Sequence, residues 1–175
     1  MVAGFEQQEA AVLRGLVSQL EDMLKARADE APRDELSELT GIKAGPSTAP
    51  DDPVLARLLP DFHRIDPDQP TQEELDSAAA LRSLHEPELL DAKLEVAEVV
   101  METLAPRGGE VRLSIEQADA WLSALNDVRL ALGTALDVSD EMPDELPEDD
   151  PRSAHLGVYH WLTYLQESLV QAMAG

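Results

Sequence analysis

The sequence predicts an all-α fold: a single-domain helical bundle of about four main helices plus short helical pieces, with at most one very short strand. Long stretches repeat their apolar residues with the period of an amphipathic helix. Two of these stretches open on a capping box. Strand-like alternation is confined to Glu110–Leu113.

The first helix is expected over about Phe5–Ala28. At about 100° per residue, Val12, Leu13, Leu16, Val17, Leu20, Met23 and Leu24 share one side, and Pro32 marks the end. A short helical piece around Asp34–Leu39 stops at Gly41, a natural C′ residue. Residues 43–53 read as a linker-like loop. Within it, Asp52 before Pro53 is an N-cap followed by proline at N1, so Val54–Leu59 gives one or two helical turns. Pro60–Pro70 has no period and is expected to be irregular.

Thr71 and Glu74 form a capping box ahead of a helix reaching about His85. Pro87 either kinks that helix or starts another, which continues to Leu104 through Leu90, Leu94, Ala97 and Met101. A turn follows at Ala105–Glu110. Ser114 with Gln117 is the second capping box, opening a helix to about Val138. Ser139–Pro151 is an acidic loop with two internal prolines. The last helix, about Arg152–Ala174, carries Val158, Trp161, Leu162, Leu165, Leu169, Ala172 and Met173 on one side.

At 175 residues the chain can bury a core without staples. Its formal net charge is −23, from 36 acidic and 13 basic residues. Such a charge repels phosphate backbones and anionic membranes, so direct nucleic-acid binding is disfavoured and no membrane partner is expected. A basic protein surface is the partner this field attracts. There is no cysteine, which removes disulfides, thiolate metal sites and thiol redox sensing from this chain. No apolar run has the length of a membrane span and the first residues lack a signal-peptide pattern, so a cytoplasmic location is expected. A homodimer is left open.

Catalytic patterns are missing. His155 and His160 are five apart, wrong for ligands on adjacent turns, and His85-Glu86-Pro87-Glu88-Leu89 lacks the second histidine of a zinc-protease motif. There is no G-x-S-x-G, no phosphate-cradling glycine loop and no Glu-x-x-His pair. Glu95, Glu98 and Glu102 read as a solvated face. The expectation is a non-enzymatic protein with no cofactor and no metal.

Two regions stand out as candidate sites. On the Ser114–Val138 helix, Trp121, Leu125, Val128, Leu132 and Leu136 line up, and Arg129 falls inside that apolar sector. Asp127 projects to the opposite, solvated side. Asn126 and Gly133 share one flank, where a neighbouring helix could come close to Gly133. Gln166 is likewise inside the apolar sector of the last helix, with Glu167 outward. Buried polar groups need partners. Arg129 and Gln166 could satisfy each other, with Asn126, or Arg129 could meet a carboxylate from the helix before Leu104 or lift its head to water. Two readings stay open: a buried polar network fixing helix register, or a small-anion pocket around Asn126, Arg129, Gln166 and Trp121.

The second region is the acidic loop. Asp140, Glu141, Asp144, Glu145, Glu148, Asp149 and Asp150 read either as a solubilising surface or as a docking strip for a basic partner, with Met142 and Leu146 as exposed anchors.

Val111–Val138, followed by Tyr159–Val170, resembles the actinobacterial AosR family of oxidative-stress transcriptional regulators, formerly a domain of unknown function. Pro53–Phe62 and the first helix fit the same order. The matching residues are Trp121, Leu125, Asn126, Asp127, Arg129, Gly133, Trp161, Gln166 and Glu167. The resemblance implies a cytoplasmic regulator acting on transcription by contacting a sigma factor or RNA polymerase. It carries no catalytic assignment. With no thiol in the chain, methionine oxidation is the remaining side-chain sulfur chemistry.

Overall fold

The computed structural model describes residues 1–32, 39–41, 43–66, 68–139, 141–143 and 145–175. In chain order these form β1 (Val2–Phe5), α1 (Gln7–Asp29), α2 (Pro53–Leu58), α3 (Gln72–Thr103), β2 (Gly109–Arg112), α4 (Ile115–Ala135) and α5 (Ser153–Ala174). The long helices are those the periodicity predicts. The piece expected around Asp34–Leu39 falls almost wholly outside the described residues, although Gly41 does take a positive φ of 71°.

The expectation of at most one strand is corrected. Val2–Phe5 pairs antiparallel with Gly109–Arg112, Val2 opposite Arg112 and Phe5 opposite Gly109. Only Phe5 of β1 and Val111 of β2 are buried, so neither strand shows a readable alternation. The Met1 ammonium donates to the Leu113 carbonyl at 2.8 Å and the Leu113 N–H donates to the Met1 carbonyl at 2.9 Å, extending the pairing. Gly108 makes the approach possible. At φ 71°, a Cβ there would lie 2.5 Å from the Phe5 carbonyl oxygen.

The helix starts follow their caps. Asp52 accepts from the N–H groups of Val54 and Leu55, with Pro53 at N1. Thr71 with Glu74 and Ser114 with Gln117 form reciprocal capping boxes. The N–H of Glu6 donates to the Glu9 carboxylate at 2.8 Å, so α1 begins at Gln7 rather than Phe5.

Pro87 neither ends α3 nor divides it into two elements. A proline in a helix leaves the carbonyl four residues earlier without a donor. Here that carbonyl, of Ser83, accepts the N–H of Gly45 at 2.7 Å, while the Ser83 hydroxyl donates to the Gly45 carbonyl at 3.0 Å. The loop after Lys43 therefore fills the open rung. A Cβ on Gly45 would sit 2.9 Å from the Pro87 ring, so glycine is needed for this contact.

α4 ends at Ala135, earlier than the expected Val138. Asp137 takes φ 54°, its N–H donates to Thr134 at 3.2 Å, and the Val138 N–H donates to Gly133 at 2.9 Å. This is a Schellman closure with aspartate where glycine is usual.

α4 is the central element, packed against α1, α2, α3 and α5. Leu13, Leu24, Leu59, Leu104, Leu125 and Leu162 are fully enclosed around it. This position corrects the expectation for Asp127. It is 6% exposed and meets Lys93 of α3 at 2.7 Å. A helix with neighbours on so many sides has little solvated face. On α5, Ala172 is exposed although its spacing places it on the apolar side.

Candidate functional site

Three arrangements of charged side chains are built on this frame. The first was not foreseen from the sequence. Arg27 of α1, Arg82 of α3 and Glu86 of α3 are buried together. Glu86 accepts from Arg27 Nε at 2.6 Å and from Arg82 Nη1 at 2.6 Å. Arg82 also donates to the Leu59 carbonyl at 3.1 Å and to Asp61 at 2.6 Å, and its guanidinium lies 6.0 Å from the Phe62 ring centroid. Arg27 further donates to Glu30 and to the Thr48 carbonyl. Burial opposes the charge on Arg27, but the hydrogen bonds to Glu86 and Glu30 outweigh it and hold its pKa above the usual arginine value. The network ties α1 and α3 to the loops at Thr48 and Leu59–Asp61.

A signal for it exists in hindsight. Buried Leu13, Val17, Leu20 and Leu24 advance by four and three residues, and Arg27 takes the next step of the same stripe. Arg82 and Glu86 are an i, i+4 pair immediately before Pro87.

The second arrangement is Lys93 with Asp127, a largely buried pair joining α3 to α4. The third lies at the C-terminal end of α4, where a cavity of about 340 Å³ is lined by Arg57 of α2, Arg129, Gly133 and Thr134 of α4, Asp137, and Tyr159 of α5.

The residues singled out on α4 separate. Arg129 lines the cavity just described, with its guanidinium 5.9 Å from the Tyr159 ring centroid. Its Nε–H is buried and has no acceptor among the described residues. Trp121 is elsewhere. Its indole N–H donates to the Thr103 hydroxyl at 2.8 Å, its ring lies 5.6 Å from Phe5, and it lines a second, mostly apolar cavity of about 130 Å³ with Met1, Leu125 and Leu169. Asn126 and Gln166 are half-buried, and among the described residues neither makes a hydrogen bond with Arg129. No carboxylate of α3 reaches Arg129 either. The close approach at Gly133 is real: a Cβ there would meet Tyr159 Cε2 at 3.0 Å.

In the acidic loop, Asp140 and Asp144 lie outside the described residues. Glu141, Glu145, Glu148 and Asp149 are exposed. Met142 and Leu146 are half-buried rather than fully exposed anchors, because turns closed by Met142 N–H to Ser139 and Asp150 N–H to Pro147 fold the loop back. Asp150 is engaged by Arg152, whose guanidinium hydrogen bonds lower its carboxyl pKa below the usual aspartate value.

Among the described residues no group of three His, Asp or Glu side chains converges as a metal site, and no helix is long and apolar enough to cross a membrane.

Residues 1–173 match the family model described as a domain of unknown function, DUF2017. Proteins named oxidative stress regulator AosR, from Mycobacterium bovis and Mycobacterium tuberculosis, are each 46% identical over 172 residues, covering 95% of this chain and 79% of theirs. The chain belongs to the AosR family. A Mycobacterium leprae relative is also 46% identical, over 170 residues covering 94% of this chain and 78% of its own. No solved structure matches this AosR-family chain. The mycobacterial relatives are named as oxidative stress regulators, whereas this member has no cysteine among its 175 residues.

Proposed function

We propose that this chain is a non-enzymatic transcriptional regulator that works in the cytoplasm through contact with a basic surface on a sigma factor or RNA polymerase, rather than by reading DNA. The observation that carries this reading is the distribution of charge. Glu141, Glu145, Glu148 and Asp149 are exposed and form no ion pair among the described residues. Much of the smaller set of basic residues is already engaged: Arg27, Lys43, Arg82, Lys93, Arg112 and Arg152 hold carboxylates, and Arg14 donates to the carbonyls of Met101 and Leu104. That leaves few cations against 36 acidic residues, poorly suited to a phosphate backbone. Membership of a family whose named relatives are regulators supports the same reading.

The test is binding of the full chain to purified core polymerase and sigma factors from an actinobacterium, across a salt series. Affinity should fall steeply as salt rises, and the triple variant Glu145→Lys, Glu148→Lys, Asp149→Lys should lose it. Binding to duplex DNA at physiological salt, with no polymerase or sigma contact, would overturn this reading. A homodimer is compatible with it.

The second reading, a small-anion pocket, draws support from the unpaired Arg129 Nε–H. Its membership changes from Asn126, Arg129, Gln166 and Trp121 to the residues around Arg57 and Arg129.

A further inference from the structure

We infer that the cavity between α2, the C-terminal end of α4 and α5 is a receptor for a small organic carboxylate, held between Arg57 and Arg129. Several independent features of the cavity point there. Arg57 and Arg129 both line it, and neither side chain forms a hydrogen bond or ion pair with another described residue. In a chain with 36 acidic residues, two cations beside one cavity that form an ion pair with no described carboxylate, Asp137 of the same lining included, are conspicuous. Arg129 keeps its place by lying over the Tyr159 ring, so its donors are uncommitted while its Nε–H is already out of water. Leaving a buried donor unmet is unfavourable, and an incoming acceptor recovers that loss.

The end of α4 does not compete for these donors. The carbonyls of Leu132, Gly133 and Thr134 accept the N–H groups of Leu136, Val138 and Asp137. The backbone turn thus closes the helix without help from arginine. Asp137 adds another observation, because it lines the same cavity in the left-handed region, at φ 54°, where glycine would be less strained. A residue kept in a costly conformation beside a cavity suggests a role there.

Charge selects the ligand class. Two guanidinium groups and one carboxylate give a local net charge of +1, matched by a carboxylate monoanion. A phosphate dianion would face Asp137 and the field of a chain carrying −23. The planar fork of a guanidinium suits a carboxylate. Leu130, Val138 and the Tyr159 ring supply apolar lining for a short carbon chain. Carboxylate chemistry is shared by free acids and acidic peptide tails. The free acid is favoured because a peptide rich in Asp or Glu would bring further repelled charge.

Sodium butyrate, sodium phosphate and a blocked acidic pentapeptide, titrated into the full chain at constant ionic strength with chloride, separate these cases. The readout is 1H–15N NMR, including the Arg129 Nε–H resonance. Butyrate should give a saturable shift at Arg129 Nε–H and at the amides of Thr134 and Asp137. Arg57→Gln, an exposed substitution that leaves the core intact, should weaken it about tenfold, the size of one lost charge-assisted hydrogen bond. Arg129→Gln should abolish it, and Asp137→Asn should tighten it. A butyrate response that never saturates, or one unchanged in Arg57→Gln, overturns the site. Tighter binding of phosphate overturns the carboxylate assignment, and tighter binding of the peptide overturns the free acid as its source.

Discussion

Arg27 with Arg82, and Arg57 with Arg129, are two pairs of arginines treated in opposite ways by the same fold. Around the first pair Glu86 is divided between both guanidinium groups, and Asp61, Glu30 and two backbone carbonyls take other donors. Around the second pair no side-chain acceptor is supplied among the described residues; the Tyr159 ring lies against Arg129, and Arg57 is exposed. Enclosed charge is tolerable when its donors are met, and then it fastens elements together. Charge left with open donors beside a cavity contributes little to folding and is available for recognition.

The sharpest way to break this contrast is Glu86→Gln. Removing the shared anion leaves two buried guanidinium groups undercompensated, so unfolding in urea should show a loss of about 3–5 kcal/mol. A loss below about 1 kcal/mol would mean that water or the remaining carboxylates replace it. Next in size is Asp127→Ala, which strands Lys93 between α3 and α4 and should cost about 2–4 kcal/mol. The double variant Lys93→Met, Asp127→Leu should restore much of that, because neither charge is then left alone.

An exposed polar contact gives the intermediate case. Hydrogen bonds from the Thr71 backbone N–H and hydroxyl hold the Glu74 carboxyl below its ordinary value of 4.5. A lowered carboxyl pKa gives stability that is complete above the unfolded value and disappears as pH falls through the folded one. Amide exchange in the first turn of α3 should therefore quicken as pH drops below about 4.5, once the intrinsic pH dependence is removed, before the rest of the helix responds. The smallest effect is expected for Arg129→Met, which should leave the free energy of unfolding in urea within about 0.5 kcal/mol of the parent or slightly above it. A loss comparable to that of Glu86→Gln would place Arg129 with the structural pair.

The helices were legible because period, caps and prolines act locally. Asp52, Thr71 and Ser114 each cap the helix expected of them. The strand at Val2–Phe5 was not legible, since its partner is more than a hundred residues away and just one of its side chains is buried. Pro87 was ambiguous for a related reason: the donor that rescues its open rung belongs to Gly45, distant in sequence. Reading α4 alone put Asp127 in solvent, because one helix does not reveal how many neighbours surround it. For the candidate site, the inward placement of Arg129 and the close packing at Gly133 followed from spacing. Arg57 did not, because α2 is a single short helix whose spacing says nothing of what lies across the cavity.

The rung of α3 left open by Pro87 also shapes the long crossover from α1 to α3. By seating Gly45 there, the molecule pins that crossover part-way and splits one wide excursion into two narrower ones, each with less freedom to surrender on folding. A bulkier residue at Gly45 would lift the crossover off the helix it straddles.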